Sequence, residues 1–193
     1  MILLNLKVNL DSKKYQIIYA DPPWKYSDRS KSHGGGAESH YPVMAEDDIC
    51  AIPIPSEDNS VLLLWATYPQ LEVAMRVIKA WGFIYKTCAF TWVKVTDRNA
   101  PLMGMGRYTR SNPEIVLLGI KGNGVKRINT NIRNDQYFPR REHSRKPAEF
   151  RGLIVSLFGD LPKIELFARR KVEGWDCWGN EVESDIKLTQ QMV

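Results

Sequence analysis

Asp21-Pro22-Pro23-Trp24, directly behind the apolar run Tyr15-Gln16-Ile17-Ile18-Tyr19-Ala20, is the stretch of this chain best equipped for chemistry. The run is short and rich in strand formers, so it reads as a buried strand over 15–20. Pro22 and Pro23 cannot donate to a sheet ladder and hold the residues before them extended, so the strand must stop there. Asp21 then stands just beyond a strand's carboxyl end, where open α/β sheets place their ligands. Its carboxylate can accept a hydrogen bond from an amine, the Pro22 carbonyl can accept another, and Trp24 offers a ring for stacking. Such a corner suits a planar base carrying an exocyclic amine. On these four residues alone, a proline-rich turn with a solvated Asp and a core Trp is an equal reading.

Three further groups carry chemical potential. Glu165 lies inside the apolar strand Lys163-Ile164-Glu165-Leu166-Phe167-Ala168 and is followed by Arg169-Arg170. A charge in that setting is costly unless it is paired or used. Gly174-Trp175-Asp176-Cys177-Trp178-Gly179-Asn180-Glu181 is a polar turn with two indoles. His143-Ser144-Arg145-Lys146-Pro147 precedes a helix, whose N-terminus attracts carboxylates and phosphates, an attraction that Lys146 strengthens. Taken singly, each also has a structural explanation: an ion pair, core packing, a solvated cap.

The elements that must hold these residues alternate along the chain. A short helix begins at Glu46-Asp47-Asp48-Ile49, with acids suited to its first turn. Val61 to Ala66 is a continuous apolar run, as in a strand buried on both faces. Residues 69–81 predict an amphipathic helix opened by Pro69 and closed by Gly82, with Leu71, Ala74, Met75, Ile78 and Trp81 inward. Strands follow at 84–94 and 114–120, a helix at 147–158 between Pro147 and Gly159, and the strand at 163–168. The expectation is one α/β domain over 1–193 with a mostly parallel sheet. Three loops at about 25–45, 96–113 and 122–146 stay irregular, and such long loops in a compact domain mark function or disorder.

Charge and composition narrow the class. Hydrophobic content of 44% and charged content of 25% are ordinary for a soluble globular chain of 193 residues. No apolar run is long enough to span a membrane, and the first residues lack a basic n-region, so no signal peptide is expected. Cys50, Cys88 and Cys177 show neither zinc spacing nor a disulfide framework, which points to a reducing cytoplasm and no metal. The net charge is +5, but Lys121 to Lys146 holds eight cations against Asp135 and Glu142. That segment therefore nets +6, a local excess suited to phosphate contact, with a solvated loop as the plain alternative.

In combination and in order, these segments resemble the MT-A70 family of S-adenosylmethionine-dependent adenine-N(6) methyltransferases, from about Tyr15 to Glu181. The resemblance is carried by Asp21-Pro22-Pro23-Trp24, Gly34-Gly35-Gly36-Ala37 leading to His40-Tyr41-Pro42, Leu64-Trp65-Ala66, Trp81-Gly82-Phe83, Thr91-Trp92-Val93-Lys94, Glu114 to Gly122, His143 to Pro147, Lys163 to Arg169, and Trp178-Gly179-Asn180-Glu181. It implies a Rossmann-like class I methyltransferase fold with helices on both faces of the sheet. It implies catalysis at Asp21, Pro22, Pro23 and Trp24, and S-adenosylmethionine bound by Asp21, His143, Lys146, Glu165, Arg169, Asn180 and Glu181. Tyr41 falls in a loop that closes over the target base, and Arg107, Arg110, Arg140 and Arg141 are the candidates for phosphate contact. Two departures stand out: Leu166-Phe167-Ala168-Arg169 replaces the usual glycine-rich loop, and Pro113 stands where the eukaryotic mRNA enzyme has a lysine.

The implied reaction is methyl transfer to the N(6) amine of adenine in DNA, in the cytoplasm of a bacterial or phage-infected cell. The alternatives are the same reaction on RNA, or a catalytically silent nucleic-acid-binding subunit. Related enzymes are often dimeric, and exposed tryptophans would permit a homodimer.

Overall fold

The computed structural model describes residues 13–25, 43–104, 106, 108–140 and 145–188. Its strands are β1 (Tyr15–Ala20), β2 (Ser56–Ala66), β3 (Ile84–Val95), β4 (Glu114–Lys121), β5 (Asp135–Pro139), β6 (Lys163–Leu166) and β7 (Asp176–Trp178). The helices are α1 (Glu46–Cys50), α2 (Leu71–Ala80) and α3 (Glu149–Phe158). All seven strands join one sheet in the order β5-β3-β4-β2-β1-β6-β7. β1 is parallel to β2 and β6, β6 to β7, and β3 to β5, while β4 runs antiparallel to both β2 and β3. Only β4 is reversed, so the sheet is mostly parallel.

The path of the chain makes a crevice. From β1 it moves to β2 on one side, and it later returns through α3 to place β6 on the other side of β1. Such a reversal of strand order leaves room beyond the carboxyl ends for a ligand. Register brings those ends level, with Ala20 opposite both Leu64 of β2 and Leu166 of β6. Because β4 is antiparallel, its first residue, Glu114, arrives at the same edge next to Ile115, the partner of Ala66.

Helices cover both faces. Ile49 of α1 and Ala74, Val77 and Ile78 of α2 pack with Ile18, Leu62 and Leu64 on one face. Phe150, Ile154 and Phe158 of α3 pack with Tyr19, Trp65, Phe90 and Trp92 on the other. Edge-to-face contacts knit that second layer, with Phe150 4.9 Å from Trp65 and 5.6 Å from Phe90. Gly82 and Gly159, at φ +80° and +92°, sit in the left-handed region and end α2 and α3 as the sequence predicts.

Four expectations are corrected. The inward stripe of α2 runs through Ala74, Val77, Ile78 and Trp81, while Leu71 and Met75 are 40% and 36% exposed. The helix begins two residues after Pro69, following a 3₁₀ turn. The loop at 122–146 contains β5, which pairs with Thr91 to Val95 of β3, and the turn at 174–181 contains β7. Finally, Trp24, Trp65, Trp81, Trp92 and Trp175 are at most 8% exposed and Trp178 is partly buried, so the tryptophans serve the core and are not the exposed residues that the sequence reading took them for. Among the described residues, no helix is long and apolar enough to cross a membrane.

Candidate active site

A cavity of about 630 Å³ opens at the carboxyl edge of β1, β2 and β6. That volume falls in the ordinary range for small-molecule sites, roughly 300–1,000 Å³. Its wall brings together Asp21, Pro22, Pro23, Trp24, Lys146, Glu165, Arg169, Asn180 and Glu181, nine residues singled out in the sequence.

The Asp21–Trp24 turn is pinned from four sides. The Trp24 N–H donates to the Pro22 carbonyl at 2.9 Å, and the Met44 N–H donates to the Pro23 carbonyl at 2.9 Å. The indole Nε1 of Trp24 donates to the backbone carbonyl of Trp65 at 3.1 Å. Gln70, 6% exposed, donates from Nε2 to the Lys25 carbonyl at 2.9 Å. Two sequence expectations change as a result. The Pro22 oxygen already accepts one bond, so a ligand amine would share it. Trp24, only 5% exposed and packed in the core, fixes the turn and presents little free face for stacking.

Around Asp21 runs a chain of alternating charge. Lys146 Nζ lies 2.9 Å from Asp21 and 3.1 Å from Glu114, and Lys94 Nζ lies 2.7 Å from Glu114. The Lys146 ammonium also sits over the Trp65 ring, 5.3 Å from its centroid. Burial pushes the Asp21 carboxyl above its ordinary value, with Lys146 opposing and Glu114 adding. Burial also works against the Lys146 cation, yet Asp21 and Glu114 hold its pKa above the usual lysine value, so it stays charged. For Glu114, Lys146 and Lys94 more than offset burial and hold its carboxyl below the usual range.

Glu165 of β6, the cross-strand partner of Tyr19, also lies on the cavity wall. Its two oxygens accept bonds from Arg151 Nε at 2.7 Å and Nη2 at 2.6 Å, a bidentate fork in which both side chains are 12% exposed. Burial raises the Glu165 pKa and Arg151 opposes it. Next along the chain, Phe167 adopts φ +61°, a left-handed conformation that is strained outside glycine. Its ring sits edge-on to Trp178 at 5.4 Å. Where the usual methyltransferase glycine-rich loop would follow the strand, this chain thus carries a strained aromatic held by packing. Gly179 lies so close to β6 that a Cβ there would stand 2.2 Å from the Ala168 carbonyl oxygen.

The MT-A70 family model matches residues 15–181. The chain is 38% identical to the type II methyltransferase M.MunI of Mycoplasma sp, over 97% of this chain and 90% of that protein. It is 30% identical to an N(6)-adenosine-methyltransferase MT-A70-like protein of Arabidopsis thaliana, over 87% of this chain but 24% of that protein. It is 29% identical to the N(6)-adenosine-methyltransferase catalytic subunit METTL3 of Homo sapiens, over 93% of this chain and 30% of that protein. The chain belongs to the MT-A70 family.

Nine of the nineteen residues that line the cavity are ones the sequence singled out. Arg110 and Arg140 are exposed and lie outside the cavity. His143, Tyr41, Arg107 and Arg141 lie outside the described residues. Two wall residues carry roles that the sequence reading did not assign. Glu114 opens an apolar strand as Glu165 interrupts one, and that same signal marks it. Arg151 follows the inward Phe150 on α3, and no sequence signal separates it from a solvated helix residue.

Proposed function

We propose that this MT-A70 protein transfers a methyl group from S-adenosylmethionine to the exocyclic N(6) amine of adenine in DNA. The observation that carries the reading is that a pinned acceptor, Asp21, lines the same cavity as Glu165, Arg169, Asn180 and Glu181. The likeness to M.MunI, which extends over nearly that whole protein, favours DNA.

The cavity suits the cofactor chemically, since it mixes carboxylates, cations and apolar surface as a zwitterionic nucleoside requires. Lys146 and Arg169 suit its carboxylate, and Glu165, Asn180 and Glu181 suit its ammonium and ribose hydroxyls. S-adenosylmethionine, when bound, supplies an electrophilic methyl group. The protein's task is to prepare the amine, whose lone pair is delocalised into the adenine ring. Asp21 accepts one amine hydrogen and the Pro22 carbonyl the other, which frees the lone pair to point out of the ring plane. Lys146, 2.9 Å away, favours the Asp21 anion against the effect of burial and aims it. Pinning the turn on Trp65, Met44 and Gln70 removes the reorganisation that such positioning would otherwise cost.

A target adenine in a duplex must first leave the stack, at a cost of a few kcal/mol. Arg110 and Arg140, with Arg107 and Arg141, are suited to the flanking phosphates, and Tyr41 to the flipped base. The target-binding loops at about 25–45, 96–113 and 122–146 belong to the same single methyltransferase domain.

A second reading, RNA as substrate, is favoured by the adenosine methyltransferases among the relatives. The test is to incubate the protein with labelled S-adenosylmethionine and matched duplex DNA, single-stranded DNA and RNA, then digest to nucleosides. Label in N(6)-methyldeoxyadenosine supports the proposal. Label confined to the ribonucleoside gives the second reading, and cofactor binding without label gives a silent subunit.

A further inference from the structure

Arg151 stands on the first turns of α3 and reaches the cavity wall, where it takes no place in the chemistry described above. Its fork closes on both oxygens of Glu165, and its guanidinium lies 6.0 Å from the Tyr19 ring centroid. Tyr19 is in turn fixed by accepting a bond from Trp65 Nε1 at 2.7 Å. Tyr19 and Glu165 are cross-strand partners, so they share a face of the sheet and Arg151 caps them from above. A planar guanidinium gripping a carboxylate at two points fixes its rotamer as well as its charge, which a lysine cannot do. Each Glu165 oxygen keeps a second lone pair beyond the one that Arg151 occupies.

We propose that Arg151 is a positioning residue of the cofactor pocket, holding Glu165 as an anion in one orientation so that its remaining lone pairs meet the donor groups of S-adenosylmethionine. This rests on the placement of the cofactor proposed above. The groups around Glu165 are Arg151 from α3, Tyr19 and Asp21 from β1 and its end, Cys177 beside it on β7, and Arg170 beyond β6. Asp21 disfavours the Glu165 anion, and Arg170 supports it less than Arg151 does. Without Arg151, burial and Asp21 act with little opposition, so Glu165 takes up a proton at higher pH and loses acceptor capacity.

The test measures S-adenosylmethionine affinity by calorimetry from pH 5.5 to 8.5 for the wild type and for Arg151→Met, Arg151→Lys and Glu165→Gln, each shown folded by thermal melting. Arg151→Met is expected to bind about tenfold more weakly at pH 7, and to weaken further than wild type as the pH falls. Glu165→Gln is expected to bind weakly without that added pH dependence. Arg151→Lys is expected to fall between wild type and Arg151→Met, and it carries the same comparison if the Met variant does not fold. An Arg151 variant whose affinity and pH profile match wild type overturns the proposal, as does one that binds more weakly with a profile parallel to wild type, since that is a structural effect alone. Absence of binding by the wild-type protein overturns the cofactor reading itself. A Glu165→Gln variant that binds like wild type removes Glu165 from the pocket and the proposal with it.

Discussion

Lys146 donates to Asp21 at 2.9 Å on the cavity wall, joining the segment before α3 to the turn after β1. Lys146 also bridges to Glu114, so it links two partly buried carboxylates, the second of which Lys94 also pairs. Replacing it with Met leaves Asp21 and Glu114 facing each other without that cation. Lys146→Met is expected to lower stability by about 3 kcal/mol in chemical denaturation, the usual cost of removing one partner of a buried pair. Turnover is expected to fall at least about a hundredfold. Its acid limb is expected to move to higher pH, because Asp21, already raised by burial, then loses the cation that opposes the rise.

Glu114 and Asp21 respond to acid in opposite senses. The Glu114 pKa is lowered in the folded state, so its contribution is fully present above its unfolded value, near 4.5, and is lost as the pH falls through the folded value. The Asp21 pKa is raised, so its ionisation weakens the fold as the pH rises from its unfolded to its folded value. Glu114→Gln is therefore expected to be less stable than wild type by about 2 kcal/mol at pH 7. The gap is expected to narrow below about pH 4.5, as read from denaturation midpoints across pH.

Gly179 permits the close approach of the 179–181 segment to the end of β6. A Cβ there would sit 2.2 Å from the Ala168 carbonyl oxygen and 2.8 Å from its nitrogen, and backbone cannot move aside cheaply. Gly179→Ala is expected to cost about 2 kcal/mol of stability. Because Asn180 and Glu181 follow directly, cofactor affinity is expected to fall as well, measured by titration calorimetry.

Arg110 and Arg140 lie on exposed loops outside the cavity. If they contact phosphates, Arg110→Ala and Arg140→Ala weaken binding to all DNA sequences alike. Each then reduces the slope of log affinity against log salt by about one. The measurement is a fluorescence titration with duplex DNA at several salt concentrations; an unchanged slope removes the residue from the interface.

Much of this was legible in the sequence for physical reasons. The first strand is found at 15–20 as expected, because a short apolar run that ends on two prolines has few other solutions. Glycines at left-handed positions marked the ends of α2 and α3. What stayed hidden depended on tertiary pairing. Asp135-Gln136-Tyr137-Phe138-Pro139 is polar and ends on proline, and it becomes a strand only by pairing with the edge of β3 that faces away from β4. Glu165 announced itself as a charge in an apolar strand, whereas Arg151, its partner, lies in a helix where an arginine is unremarkable. Trp24 read as a stacking surface, since a sequence does not reveal that the Trp65 carbonyl would claim its indole nitrogen.

The central claim, that Asp21 holds the amine which receives the methyl group, is tested most directly with Asp21→Ala. Cofactor affinity and N(6)-methyladenine formation on duplex DNA are measured side by side for the variant and the wild type. The account predicts a folded variant that still binds S-adenosylmethionine, within about tenfold of wild type, and forms no detectable product. Near-normal methyl transfer by that variant would contradict it.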